Sequence, residues 1–147
     1  MASFLKAEQM TGSSQWFCPR CKCSRDAVKK IDIWKVPVIL LIHLKRFSFD
    51  GYDHRKITAT VDFPLNQLDM GHFTQGPSDH KNFNLYAVSN HYGSMEGGHY
   101  TAYGKNPHNH AWFKFDDHEV SSISSSEVKS SAAYILFYTA KEFTVQC

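Results

Sequence analysis

Val38-Ile39-Leu40-Leu41-Ile42-His43-Leu44-Lys45-Arg46-Phe47 decides the class of fold. Its first half is an unbroken β-branched and aliphatic run, the pattern of a strand buried on both faces. Its second half alternates, Leu44 and Phe47 taking turns with polar neighbours. Pro37 and His43 bound the apolar part, which is far too short to span a bilayer. Outward from this run the chain keeps reading as strands. Upstream, Ile31, Ile33 and Trp34 suggest a strand that ends before Pro37. Downstream, Asp50-Gly51 is a turn signal, and residues 57–63 alternate up to Pro64. Residues 65–73 read as a short helix or an irregular loop, and 75–79 as a surface loop. Strands follow at 83–90, 99–103 and 111–115, with a glycine-rich loop at 92–98 and a turn at 106–109. The serine-rich stretch 120–130 reads as one or two helical turns, and 133–138 as a last buried strand. The expected class is α+β, mostly antiparallel β.

Composition fits that class. The chain has 147 residues, 42% apolar and 20% charged, an ordinary globular balance for one domain or part of one. Aromatic residues make up 14%, which suits pleated, half-buried surfaces. Sixteen basic and fourteen acidic side chains leave a formal charge of +2, which points neither to nucleic acid nor to an anionic membrane. Met1 to Lys6 lack the apolar stretch of a signal peptide. Three of the four cysteines, Cys18, Cys21 and Cys23, crowd into six positions, unlike the spread of a disulfide framework. The chain is therefore expected inside the cell, in the cytoplasm or the nucleus. Residues 1–15 read as a loose leader, 16–140 as the structured part and 141–147 as a tail.

Two groups of residues carry chemistry. Gly97-Gly98-His99-Tyr100-Thr101-Ala102-Tyr103 places an imidazole behind two glycines at the start of a strand. Asp116 and Asp117 end the aromatic strand Trp112-Phe113-Lys114-Phe115. Paired strands would let the Asp116 carboxylate accept the Nδ1 proton of His99, fixing its tautomer and stabilising the imidazolium. The plain alternatives are a satisfied surface histidine and a solvated turn. Cys18-Pro19-Arg20-Cys21 presents two thiols across a tight turn, which is half of a tetrahedral zinc site. A nucleophilic role for Cys18, Cys21 or Cys23 would require a helix N-terminus or a neighbouring cation. Arg20, Lys22 and Arg25 are nearby in sequence, but the knuckle does not look like a helix start. Lys45-Arg46 reads as a solvated face.

Trp16 to Cys21, Ile42 to Phe47, Gly97 to Tyr103, Trp112 to Asp117 and the closing Ala133 to Tyr138 together resemble the ubiquitin-specific protease family of ubiquitin carboxyl-terminal hydrolases. The likeness covers roughly residues 16–140. Between Asp117 and Ala133 the wording is most similar to the members numbered eight and fifty. The resemblance implies a papain-like domain shaped as thumb, palm and fingers. This chain would be its C-terminal half, the palm with part of the fingers, the thumb being absent. It implies His99 as general base, Asp116 as its orienting acid and Asp117 as a support. It further implies Gly97, Gly98 and Tyr100 along the channel for the substrate's C-terminal Gly-Gly, and Cys18 and Cys21 as half of a structural zinc site. The loops at 50–56 and 92–98 are similar to those that cover the ubiquitin tail. The implied partner is ubiquitin or a ubiquitinated protein, with no nucleic acid and no membrane insertion. The family's nucleophilic cysteine and its first Cys-x-x-Cys have no counterpart in these residues. The chain by itself is therefore expected to be inactive, and a non-catalytic ubiquitin- or partner-binding scaffold is the alternative. A small zinc-knuckle adaptor is a third reading.

Overall fold

The computed structural model describes residues 1–50, 53–94 and 96–143. Gly51 and Tyr52 of the expected turn, Met95 of the glycine-rich loop and residues 144–147 of the tail lie outside the described residues. Two units separate: Met1–Val36 with Met70–Asp79, and Pro37–Asp69 with the chain from His80 on.

In the first unit, β1 (Glu8–Met10) pairs with the later strand Ala27–Lys29, and β2 (Trp16–Cys18) pairs with β3 (Cys23–Arg25); Ala27–Lys29 is β4. Segment 1–15, expected to be loose, thus contributes a strand and a 3-10 turn at Gly12–Ser14, because its backbone groups find partners on β4. The cysteine knuckle is the tip of the β2–β3 hairpin. The Lys22 N–H donates to the Cys18 carbonyl at 2.8 Å, and Lys22 takes a φ of 54°. Residues 31–34 do not form the expected strand. Ile33 makes one parallel bridge to Thr74, and the Ile33 and Trp34 carbonyls accept from the N–H groups of Gln75 and Gly76.

The second unit holds β5 (Ile39–His43), β6 (Phe47–Asp50), β7 (Asp53–Lys56), β8 (Leu68–Asp69), β9 (Asn82–Gly93), β10 (Gly98–Lys105), β11 (Trp112–Asp116), β12 (Glu119–Ile123) and β13 (Ala133–Ala140). Seven of them make one sheet in the order β12-β11-β10-β9-β13-β5, with β8 added on β9; β6 and β7 form a separate hairpin. Every ladder is antiparallel. The antiparallel expectation holds. The α part does not: the only helical elements among the described residues are 3-10 turns at Gly12–Ser14 and Gly71–Phe73. No described helix is long and apolar enough to cross a membrane.

Long strands follow from alternation, and two bulges reset it. Tyr86 of β9 has no partner between Phe137↔Ala87 and Tyr138↔Leu85, and Tyr134 of β13 has none between Ala133↔Asn90 and Ile135↔Ser89. One extra residue turns the following side chains to the other face. Buried positions in β9 therefore switch from Phe83 and Leu85 to Val88 and Asn90. Phe83, Leu85, Val88, Leu136, Tyr138 and Val128 are essentially fully buried. Each such apolar side chain contributes about 1.5–3 kcal/mol. Tyr138 also donates its hydroxyl to the Pro64 carbonyl at 2.7 Å.

Three more expectations change. The run at 38–42 is an edge strand rather than a doubly buried one, and Leu41 is 55% exposed. Residues 57–63 pair with no strand among the described residues. The carbonyls of Ile57 and Ala59 are taken by the Arg46 guanidinium, at 3.0 and 2.8 Å. Arg46 is itself buried, not part of a solvated face. Finally, the start of the serine-rich stretch is β12. Asp117, at φ 50°, turns the chain back on β11, so that Asp116 pairs with Glu119. Asp tolerates that left-handed conformation better than most residues. The sheet face carrying Leu41, Phe115 and Val120 is open, with Phe115 45% and Val120 60% exposed.

Candidate active site

The β10–β11 register, Ala102 opposite Phe115, puts Asp116 diagonally across from His99 on one sheet face. Diagonal neighbours are within reach of long side chains. The His99 nitrogen that meets the acid is Nε2 rather than the expected Nδ1: it lies 2.6 Å from Asp116 Oδ1, because the diagonal placement turns that edge of the ring toward β11. The other carboxylate oxygen, Oδ2, accepts from Lys114 Nζ at 2.7 Å. Lys114 is two residues before Asp116 and so shares its face. The hydrogen bond to Asp116 raises the His99 pKa above its ordinary value; desolvation opposes it, the Asp116 and Asp117 charges add attraction, and the Lys114 charge opposes last. Asp116 is held low by its bonds to Lys114 first and His99 second. With Nε2 committed to a carboxylate, Nδ1 is the nitrogen left to exchange a proton with a reacting group.

His99, Asp116 and Asp117 are the only trio of His, Cys, Asp or Glu donors lying within 4.8 Å of one another among the described residues. Both Asp116 oxygens already have partners, so the trio reads as a hydrogen-bonded charge cluster rather than a ligand set.

On the opposite face of β10, Tyr100 borders a cavity of about 440 Å³ shared with His43, Arg46, Phe47, His91 and Tyr134. Its walls are aromatic: His91 and Tyr100 have ring centroids 4.7 Å apart, His43 and Tyr134 4.6 Å, and Phe47 and His91 5.5 Å. His91 is 4% exposed. Burial first, and the Lys56 charge second, push its pKa down and favour its neutral form. Lys56 ties the β6–β7 hairpin to β9, donating to the carbonyls of His91 at 2.6 Å and Gly93 at 3.1 Å. Gly98 is required by close approach: a Cβ there would sit 2.4 Å from both His91 Nε2 and the Tyr92 carbonyl oxygen. Gly97, by contrast, faces open space.

In the cysteine hairpin, the Cys21 and Arg20 N–H groups point at Cys18, and the Cys21 bond leads in drawing its thiol pKa down. That favours the thiolate a metal needs. Cys18 and Cys21 fit zinc in donor type but supply two of four ligands. The three cysteines do not form a trio of donors within 4.8 Å.

Of the sequence candidates, His99, Asp116 and Asp117 are brought together, and Gly98 and Tyr100 sit against His91. The sequence reading missed His91, Lys56, Lys114 and the burial of Arg46. Lys114 had a signal, its i−2 spacing from Asp116 in an alternating strand. His91 had none, because its contacts come from β6, β10 and β13.

The chain is similar to known proteins in sequence and in fold. The sequence model described as Ubiquitin carboxyl-terminal hydrolase matches residues 9–138. Ubiquitin carboxyl-terminal hydrolase 9 of Arabidopsis thaliana is 48% identical over 139 residues, 94% of this chain and 15% of that protein. Ubiquitin carboxyl-terminal hydrolase 15 of Homo sapiens is 46% identical over 140 residues, 95% of this chain and 14% of that protein. Among solved structures, a chain of the SAGA DUB module of Ubp8, Sgf11, Sus1 and Sgf73 bound to monoubiquitin superposes with a TM-score of 0.78 at 34% identity, over 97% of this chain and 32% of that one. The same module bound to ubiquitin aldehyde gives 0.77 at 34% identity, with the same coverage of both chains. The chain thus spans about 15% of the length of the curated relatives it matches. It belongs to the ubiquitin carboxyl-terminal hydrolase family.

Proposed function

We propose that this chain supplies the histidine and acid of a cysteine-type deubiquitinase that hydrolyses the bond after ubiquitin's C-terminal glycine. The observation that carries this is the His99 Nε2–Asp116 Oδ1 contact of 2.6 Å. Asp116 orients the imidazole and stabilises its protonated form, and Nδ1 exchanges the proton with a thiol. Asp117 adds negative charge beside the pair. The thiol and its oxyanion donors would come from a segment outside these residues, the thumb of the complete domain, with this chain as palm and part of the fingers. Support for that division comes from the open apolar face with Leu41, Phe115 and Val120 exposed, which a covering half would bury. The cavity beside Tyr100 and the Gly97-Gly98 segment would border the ubiquitin tail. Cys18 and Cys21 would give half of a structural zinc site, completed by ligands from elsewhere. Crowded thiols support a reducing, intracellular setting.

On this reading the purified chain does not turn over a fluorogenic ubiquitin C-terminal amide, and adding the family's N-terminal half in trans restores turnover that His99→Ala abolishes. Turnover by the chain alone, lost with His99→Ala, would overturn it. The open apolar face also favours a second reading, a scaffold that docks a partner without catalysis. Ubiquitin binding with no restored turnover would select that one.

A further inference from the structure

We propose that Lys114 is a positioning residue of the candidate site, clamping the Asp116 carboxylate by its second oxygen and offsetting the charge that Asp116 presents to His99. The proposal rests on the reading of His99 and Asp116 as an acid–base pair. Lys114 Nζ is 2.7 Å from Asp116 Oδ2 while His99 Nε2 is 2.6 Å from Oδ1, so one carboxylate is gripped from both sides. Stability does not account for the ion pair. The two side chains are 34% and 28% exposed, and such pairs contribute about 0–1 kcal/mol.

Their geometry has a different consequence. The ammonium at Oδ2 sets the charge that His99 meets at Oδ1. His99 faces Asp116 and Lys114 on β11, Asp117 in the following turn and Tyr92 opposite on β9, and Glu119 of β12 acts on Lys114. Lys114 is the one cation acting on His99 among the described residues. Asp116 and Asp117 alone would keep the imidazole protonated to higher pH, and a protonated imidazole cannot accept a proton. The Lys114 ammonium works against them, so the imidazole gives up its proton at lower pH than it would without Lys114.

The test is an NMR titration of the His99 ring in the 147-residue chain, read for wild type, Lys114→Met, Lys114→Gln and Lys114→Arg. Dispersed amide spectra establish folding. The His99 midpoint is expected to shift upward in Lys114→Met and in Lys114→Gln, and to stay at the wild-type value in Lys114→Arg. An unchanged or lowered midpoint in either neutral variant overturns the proposal, as does an Arg variant that behaves like Met. The two neutral variants differ in polarity, so one serves if the other does not fold. Hydrolysis is not read here. A shifted midpoint with no turnover in the reconstituted assay would condemn the functional reading and leave Lys114 standing.

Discussion

Arg46 is the residue whose replacement should cost the second unit most for its size. Its Nε donates to the Ala133 carbonyl at 2.6 Å, and its Nη1 to the carbonyls of Ile57 and Ala59 at 3.0 and 2.8 Å. Hydrogen bonds from a charged donor contribute about 1.5–3 kcal/mol each. Arg46→Met removes all three, but the losses differ. Ile57 and Ala59 are exposed residues, so water can replace the lost donor. Ala133 is fully buried, and its carbonyl would stay unpaired at a cost of about 1–3 kcal/mol. Against this, methionine removes a guanidinium that is 2% exposed and whose Nη2 has no hydrogen-bond partner among the described residues. The net expected loss is about 2–3 kcal/mol, of which the Ala133 carbonyl and the unanchored 57–59 segment carry most. Urea unfolding followed by fluorescence of the buried Trp112 would show the midpoint falling by about 1 M at an unchanged slope. Lys45→Met, next door and exposed, should stay within about 0.5 kcal/mol. A loss under about 1 kcal/mol in Arg46→Met, or equal losses at both positions, would refute the account of the fork.

Gly98→Ala forces a Cβ to within 2.4 Å of a backbone oxygen, so β10 must shift against β9. A loss of about 1–3 kcal/mol is expected, together with a changed His99 titration; a variant as stable as wild type would contradict the close packing. Tyr138→Phe removes the donor to the Pro64 carbonyl and should lower stability by about 0.5–1.5 kcal/mol in the same urea assay, whereas a neutral result would mean that water replaces the bond. For pH, the His99 pKa is raised in the fold and that of Asp116 is depressed. The histidine contribution is complete below its unfolded value, about 6.5, and fades as pH rises through the higher folded value. The aspartate contribution is present above its unfolded value and fades as pH falls through the lower folded one. The stability gap between wild type and Asp116→Asn should therefore be widest at mildly acidic pH and narrow on both sides. Urea midpoints showing a gap independent of pH would exclude the ion pair.

Alternation and turn chemistry made the strand content and the His99–Asp116 relation legible in the chain. Strand, turn and strand with the right count between a histidine and an aspartate nearly force the two onto one face. Asp117 was readable as a turn residue for the same reason. Helical turns at 120–130 were the wrong inference because serine is indifferent there, and the ladder to β11 outweighs a weak local preference. What the tertiary structure alone decided is which residues lose water. Leu41 looks buried from its neighbours and is exposed because no described strand lies beyond β5. Arg46 looks like surface and is buried because three carbonyls, two from an unpaired segment and one from β13, need its donors. Tyr86 and Tyr134 shift the register without any local mark, and His91 has its pKa pushed down by packing from elements scattered along the chain. Periodicity is a property of neighbours in sequence. Desolvation and charge pairing depend on neighbours in space, and these set the protonation of His99, Asp116 and His91.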